Sequence, residues 1–238
     1  FPHAIYVENI EGGLSGVGLY EVMNANPDGY NIGGFTYDSI VTVPRLNLVP
    51  SYSLDKIKMI CLVTKEAGAL VVKGDAPWKN WEEFAADAQA KPGKISVGVD
   101  GIGNAQHLRL LKIKEVTGLD FKILPYPGGS GEKKEALLSG EADAIMTSLG
   151  DFAPLIQAGE ARGLIEMADE RNPQFTEVPN FKELGYPGLV KGSFVVLGTT
   201  AGTPDDVVKI LEKAYYDAFH SDEFRDWAKK TGNVEESL

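Results

Sequence analysis

Short apolar runs bounded by glycine and polar clusters alternate along this chain with stretches whose apolar residues recur every three to four positions. The runs AIYVEN (4–9), YNIGGF (30–35), KIKMICLVTK (56–65), ALVVKG (69–74), KISVGV (94–99), FKILPY (121–126), ADAIMTS (142–148), GLIEMA (163–168) and SFVVLGT (193–199) predict strands. Helical spacing predicts helices over 14–25, 80–90, 105–117, 131–139, 151–158, 204–219 and 222–231. Strand–helix alternation of this kind defines an α/β protein, with largely parallel sheets carrying helices on their faces. No internal repeat interrupts it.

The segment from 204 is the clearest helix. Thr203 is placed to cap it, Pro204 suits its first position, and Asp206 completes a T-x-x-D capping box. Val207, Ile210, Leu211, Ala214, Tyr215 and Ala218 form its expected buried stripe. Ser221 starts a further helix, with Asp222 and Glu223 at its positive end, Lys229 and Lys230 at its negative end, and Gly232 as the stop.

Composition shifts at Asp75-Ala76-Pro77-Trp78 and again near GSFVVLGTTAGTP (192–204). A chain leaving one lobe at the first and returning at the second gives two lobes: 1–74 plus 197–238, and 75–196. A cleft between two such lobes is a common place for a ligand.

Charge narrows what that ligand is. The 23 basic and 34 acidic residues give a net charge of −11. Nucleic-acid binding depends on phosphate neutralisation by Lys and Arg, and no basic run supplies it here. Nor is there a basic run that would suit an anionic membrane surface. An acidic protein binds an anion only where local N–H dipoles override the global field. Cys61 stands alone in IKMICLV and reads as a buried structural thiol, which leaves the redox compartment undetermined. No run reaches the ~20 apolar residues of a membrane span. The chain opens FPHAIYVEN with neither Met nor signal peptide, as a processed chain or a fragment would.

Several turns between strand and helix could carry chemistry. Asp100-Gly101-Ile102-Gly103 leads into a helix with His107 near its start. As a dinucleotide fingerprint it lacks the third glycine at Gln106, and the next strand ends in Tyr126-Pro127 where a ribose-binding acid is needed. No Gly-Lys-Ser/Thr makes a phosphate loop. Catalysis by His107 needs a nucleophile or acid–base partner, and the chain has no G-x-S-x-G elbow. Three histidines and one cysteine offer no zinc set, so no metal or cofactor is expected. His107 can equally be a helical residue that packs or bonds locally.

An anion pocket fits better. Unpaired N–H groups at a helix N-terminus suit a carboxylate as well as a phosphate. The arrangement recurs at Pro127-Gly128-Gly129-Ser130-Gly131 and at Thr147-Ser148-Leu149-Gly150-Asp151, where Asp151 can also be a plain helix cap. In the first lobe, Gly12-Gly13-Leu14-Ser15-Gly16 precedes a helix, and Thr36-Tyr37-Asp38-Ser39 follows a strand. Ligands in open α/β sheets bind beyond the carboxyl ends of the strands.

Read together, VENIEGGLSGVG (7–18), NPDGYNIGGFTYDSIVTVP (26–44), KPGKISVGVDGIGNAQHL (91–108), PYPGGSGEKKEALLSGEADAIMTSLGDFAPLIQAGEARGL (125–164), EVPNFKELGYPG (177–188) and GTTAGTPDDVV (198–208) resemble the substrate-binding proteins of tripartite tricarboxylate transporters, the Bug family. The likeness covers nearly the whole chain in motif order. It implies a two-lobed type II periplasmic-binding-protein fold, no catalytic activity, and a periplasmic or other extracytoplasmic monomer that delivers a small carboxylate to a membrane permease. It implies ligand contacts at Thr36, Tyr37, Asp38 and Ser39 in the first lobe. In the second it implies Gly103, Asn104 and His107, with Gly129, Ser130 and Ser148. The ligand is expected to be a di- or tricarboxylate or a related organic acid.

Three departures from the family pattern stand out. AIYVEN aligns with the family's second strand, so the first strand–helix unit and its P-F-x-x-G-G-x-x-D loop have no counterpart. The closing P-E-E-F segment has none either. Asp38 stands where a small residue is usual, either capping its turn, facing solvent, or meeting an amine on the ligand. A ligand-sensing module that recruits a signalling partner, or an enzyme acting on a small organic acid, are the alternatives of other classes.

Overall fold

The computed structural model describes residues 4–10, 12–49, 51–186 and 193–231. The chain divides into two compact units. The first runs to Thr64 and resumes over Phe194–His220; the second is Lys65–Ser193 with the chain from Ser221.

The first unit holds a three-stranded sheet of order β1-β8-β2, where β1 is Ile32–Thr36, β2 is Ile57–Glu66 and β8 is Ser193–Thr200. β1 and β8 pair antiparallel, from Ile32 opposite Thr199 to Thr36 opposite Val195. Helix α1 (Gly16–Asn24) buries Leu19 and Met23. Helix α7 (Asp205–Phe219) buries Val208, Leu211 and Phe219. Its stripe is therefore rotated from the expected one, and Ile210 is 64% exposed. Thr203 does not cap α7. Its hydroxyl turns inward to the Thr200 carbonyl at 2.8 Å, and Asp205 pairs with Lys58 instead. AIYVEN forms no strand, and Ile5, Tyr6 and Val7 are exposed. Cys61 is half-buried rather than buried, because β2 lies at the edge of its sheet. Burial, and then Glu212, push its thiol pKa up.

The second unit is built on a five-stranded sheet of order β5-β4-β6-β3-β7. Its strands are β3 (Gly68–Lys73), β4 (Ser96–Val99), β5 (Lys122–Pro125), β6 (Ala144–Thr147) and β7 (Ala161–Met167). β4 pairs parallel with β5 and β6, while β3 pairs antiparallel with β6 and β7. Four strands thus share one direction and β3 opposes them, so the sheet is mixed where strict alternation predicts parallel pairs. Alternate residues of the buried run Ala69–Val72 enter different faces. Leu70 and Val72 join Trp81 and Phe84 of α3 (Trp81–Ala90) and Leu110 and Ile113 of α4 (Ala105–Thr117). Ala69 and Val71 join Ala136 and Leu137 of α5 (Ser130–Ser139) and Phe152. Helix α6 is Ala153–Gln157 and α8 is Asp222–Thr231; the Ser221 hydroxyl accepts from the Phe224 N–H at 3.2 Å. Gly232 and His3 lie outside the described residues.

The expected boundaries were 74/75 and 196/197, with the C-terminal helix in the first lobe. Packing places the divisions at 64/65 and 193/194, and α8 groups with the second unit. β2 passes almost directly into β3, so the crossing falls in extended chain that carries no turn signal. The turn at Asp75–Trp78 marks the entry to α3.

Candidate functional site

The carboxyl ends of β5, β4 and β6 lie side by side, and each opens into one of the glycine- and serine-rich turns. After β4, Gly103 adopts φ 90°, a conformation that glycine reaches without a Cβ penalty. Asn104 follows as the N-cap of α4, and its Oδ1 accepts the His107 N–H at 2.9 Å. The Gly103 N–H donates to His107 Nδ1 at 3.0 Å. Nδ1 therefore carries the lone pair, and the ring proton sits on Nε2. Burial, and then the charge of Lys114, lower the His107 pKa, so the ring is neutral near pH 7. His107 is thus an uncharged donor held by its own loop.

After β5, Gly129 takes φ 77° and ψ −151°, a region open essentially to glycine alone, and turns the chain into α5. The Gly128 N–H donates to Glu132 Oε2 at 2.7 Å. The amides of Ser130, Gly131 and Glu132 form the first helical turn, which has no intrahelical acceptors. After β6, the Ser148 hydroxyl accepts the Asp151 N–H at 3.3 Å, a bond that does not use the hydroxyl proton.

Asp151 ties these turns together. Its Oδ2 accepts from the Ser130 hydroxyl at 2.7 Å and from the Thr147 hydroxyl at 3.0 Å. Lys134 Nζ reaches its Oδ1 at 3.1 Å. Lys133, 1% exposed, places Nζ 2.5 Å from Asp100 Oδ1 and 3.9 Å from Asp151 Oδ2. Burial by itself raises the Asp151 pKa, but the Ser130 hydroxyl and the two ammonium groups more than reverse this and hold it below the ordinary 3.8.

In the first unit, Thr36 ends β1, and the chain turns at once into a π-helical turn (Asp38–Thr42) that continues as α2 (Val43–Leu46). The Ser39 hydroxyl, fully buried, donates to the Thr36 carbonyl at 2.8 Å, and the Ser39 N–H donates to Thr36 Oγ1 at 3.4 Å. Asp38 Oδ1 accepts from the Thr42 hydroxyl at 3.0 Å. Tyr37 packs edge-on to Phe194, with ring centroids 5.9 Å apart. Thr36, Tyr37 and Asp38 are half-exposed.

The ten expected site residues therefore form two sets: Thr36, Tyr37, Asp38 and Ser39 in the first unit, and Gly103, Asn104, His107, Gly129, Ser130 and Ser148 in the second. Sequence reasoning missed Asp100, Lys133 and Asp151. A signal was available. Lys133 shares the apolar face of α5 with Ala136 and Leu137, a position where an unpaired lysine is costly, and an aspartate follows two of the neighbouring strands.

An α/β protein of two units, with hydrogen-bond donors gathered at the strand ends of its second unit, has the architecture of a solute-binding protein. The sequence profile of the TctC family, described as the tripartite tricarboxylate transporter family receptor, matches residues 2–236, and the chain belongs to that family. The family binds solutes and is not an enzyme family. The UPF0065 protein in the gbd 5' region of Cupriavidus necator is 31% identical over 226 residues, 93% of this chain and 67% of the relative. The periplasmic binding protein BugD has the same fold, with a TM-score of 0.85 and 27% identity over 97% of this chain and 76% of BugD. MatC of Rhodopseudomonas palustris, solved with bound malate, gives a TM-score of 0.84 at 24% identity, over 97% of this chain and 78% of MatC. Among the described residues, no helix is long and apolar enough to cross a membrane, and no group of three or more His, Cys, Asp or Glu is arranged to hold a metal ion.

Proposed function

We propose that this chain is an extracytoplasmic receptor that captures a small di- or tricarboxylate, or a related organic acid, and presents it to the membrane permease of a tripartite tricarboxylate-type transporter. The observation that carries the reading is the row of turns after β5, β4 and β6. There, uncharged groups such as the His107 Nε2–H, the Ser148 hydroxyl and the amides of the first turn of α5 stand at the ends of adjacent strands, while the nearby lysines are paired with Asp100 and Asp151. Neutral N–H and O–H donors hold a carboxylate without the desolvation cost of a buried cation. Gly103, Asn104, His107, Gly129, Ser130 and Ser148 shape this candidate site. In the first unit, the Thr36–Ser39 turn, with Tyr37 and Asp38 at its centre, is a separate candidate for carboxylate contact. MatC, which shares the fold, holds malate. The receptor works as a monomer in the periplasm.

The test is a thermal-shift screen of the full chain against di- and tricarboxylates, amino acids, aromatic acids, nucleotides and sugars. At least one carboxylate is expected to raise the melting temperature in a concentration-dependent way, as binding to the native state requires. Stabilisation by nucleotides or sugars alone would overturn the reading. An amino acid that outperforms its parent dicarboxylate, with the advantage lost in Asp38→Ala, would assign Asp38 to the ligand amine.

A further inference from the structure

Lys133 is the fully buried ammonium among the described residues, and it is not a ligand contact, being 1% exposed. Its helix places it between two strand-end turns. Asp100 Oδ1, at the end of β4, lies 2.5 Å from Nζ, and Asp151 Oδ2, beyond β6, lies 3.9 Å away. Asp151 in turn receives the Ser130 hydroxyl from the third turn and, through its N–H, engages Ser148. One buried cation therefore connects the three turns that carry the proposed donors. Stability alone does not account for it. The same face of α5 buries Ala136 and Leu137, and an apolar residue at 133 would extend that packing. Replacing a buried ion pair by well-packed apolar groups is often neutral or stabilising. What the ion pair adds over a methionine is charge attraction: Asp100 Oδ1 has no hydrogen-bond partner among the described residues, so the Lys133 ammonium is what offsets its charge and draws Asp100 and Asp151, and with them the turns that carry them, toward one point.

We propose that Lys133 is a positioning residue of the carboxylate site in the second unit, setting the spacing of the β4, β5 and β6 turns through Asp100 and Asp151 so that the donors at Gly103–His107, Ser130 and Ser148 converge on one ligand. The inference rests on the carboxylate reading for its ligand, but its structural half stands independently. Binding groups held loosely by their supporting residues lose affinity even when each is present.

The test uses the full chain with Lys133→Met, Asp100→Asn and the double variant Lys133→Met/Asp100→Asn. The double variant leaves no uncompensated buried carboxylate, because Asp151 retains Lys134, Ser130 and Thr147. It is expected to melt within a few degrees of the wild type. In ligand-free protein, its amide resonances at Gly103, Ser130 and Ser148 are expected to move together, with those of β3 and β7 unchanged. Calorimetry with malate is expected to show at least a tenfold loss of affinity in the double variant and a smaller loss in Asp100→Asn. Unchanged turn resonances, or wild-type affinity in a double variant whose resonances move, would overturn the proposal. If malate and the other acids fail to bind the wild type, the carboxylate reading fails, and Lys133 is judged on the resonances alone.

Discussion

His107 shows how one side chain acquires a defined chemical state from its surroundings. The Gly103 amide claims Nδ1, and Asn104 claims the backbone N–H, so the ring is oriented and its proton placed on Nε2. Protonation would turn Nδ1 into a donor facing another donor. That clash acts in the same direction as burial and the charge of Lys114, which keep the folded ring neutral. The sign of the pH effect follows. The unfolded ring takes up its proton near the ordinary 6.5, whereas the folded ring resists until lower pH. The contribution is fully present above 6.5 and is lost as pH falls below it, because the unfolded state then binds more protons. Between about pH 7 and about pH 5, the melting temperature is expected to fall more steeply in wild type than in His107→Gln. Nitrogen-15 spectra should show the ring proton on Nε2, and a proton on Nδ1 at neutral pH would contradict the assignment.

At the scale of elements, the candidate site is a set of strand-to-helix turns, and the one after β4 is closed by the Asn104 cap. Asn104→Ala is expected to cost about 1 kcal/mol in urea unfolding, within the range for N-cap losses, and to speed exchange of the His107 amide. Asn104→Asp keeps the acceptor and should stay close to wild type. The turns were legible in the sequence because glycine, serine and asparagine announce themselves between an apolar run and a helical one. The helix after β1 was not. Asp38–Thr42 leads into β-branched Val43 and then Pro44, a string that argues against a helix. The chain accommodates it with a π turn in which the Val43 N–H reaches back to the Asp38 carbonyl, while Pro44 has no N–H to place. The Thr203 cap failed for a related reason: the carbonyl of Thr200, brought close by the turn after β8, outcompeted the helix for its hydroxyl.

For the whole molecule, the net charge of −11 sets a condition on any anionic ligand. Long-range repulsion opposes its approach, and only the local dipoles of the turns attract it. Salt screens the long-range part first, over a Debye length of about 10 Å at 0.1 M. The association rate of a dicarboxylate is therefore expected to rise as salt increases from about 10 mM to about 150 mM, as measured by stopped-flow fluorescence. A steep fall would place an unmatched cation at the site, contrary to the pairing of Lys133 and Lys134.

The sequence by itself determined the α/β class, most of the strands and helices, the family, and the glycine- and serine-rich turns between them. These follow from local periodicity and from residues whose backbone preferences are fixed by their own covalent structure. Tertiary structure alone decided the strand directions around β3, the crossing at Thr64, the tautomer of His107 and the pairing of Lys133. The strand directions, the crossing and the Lys133 pairing depend on groups distant in sequence coming close, as Asp100, Lys133 and Asp151 do across three turns, whereas the His107 tautomer depends on the backbone geometry of its own loop. A lone buried lysine in a sequence reads as a misplaced charge. Its partners become visible only when the ends of neighbouring strands are brought side by side.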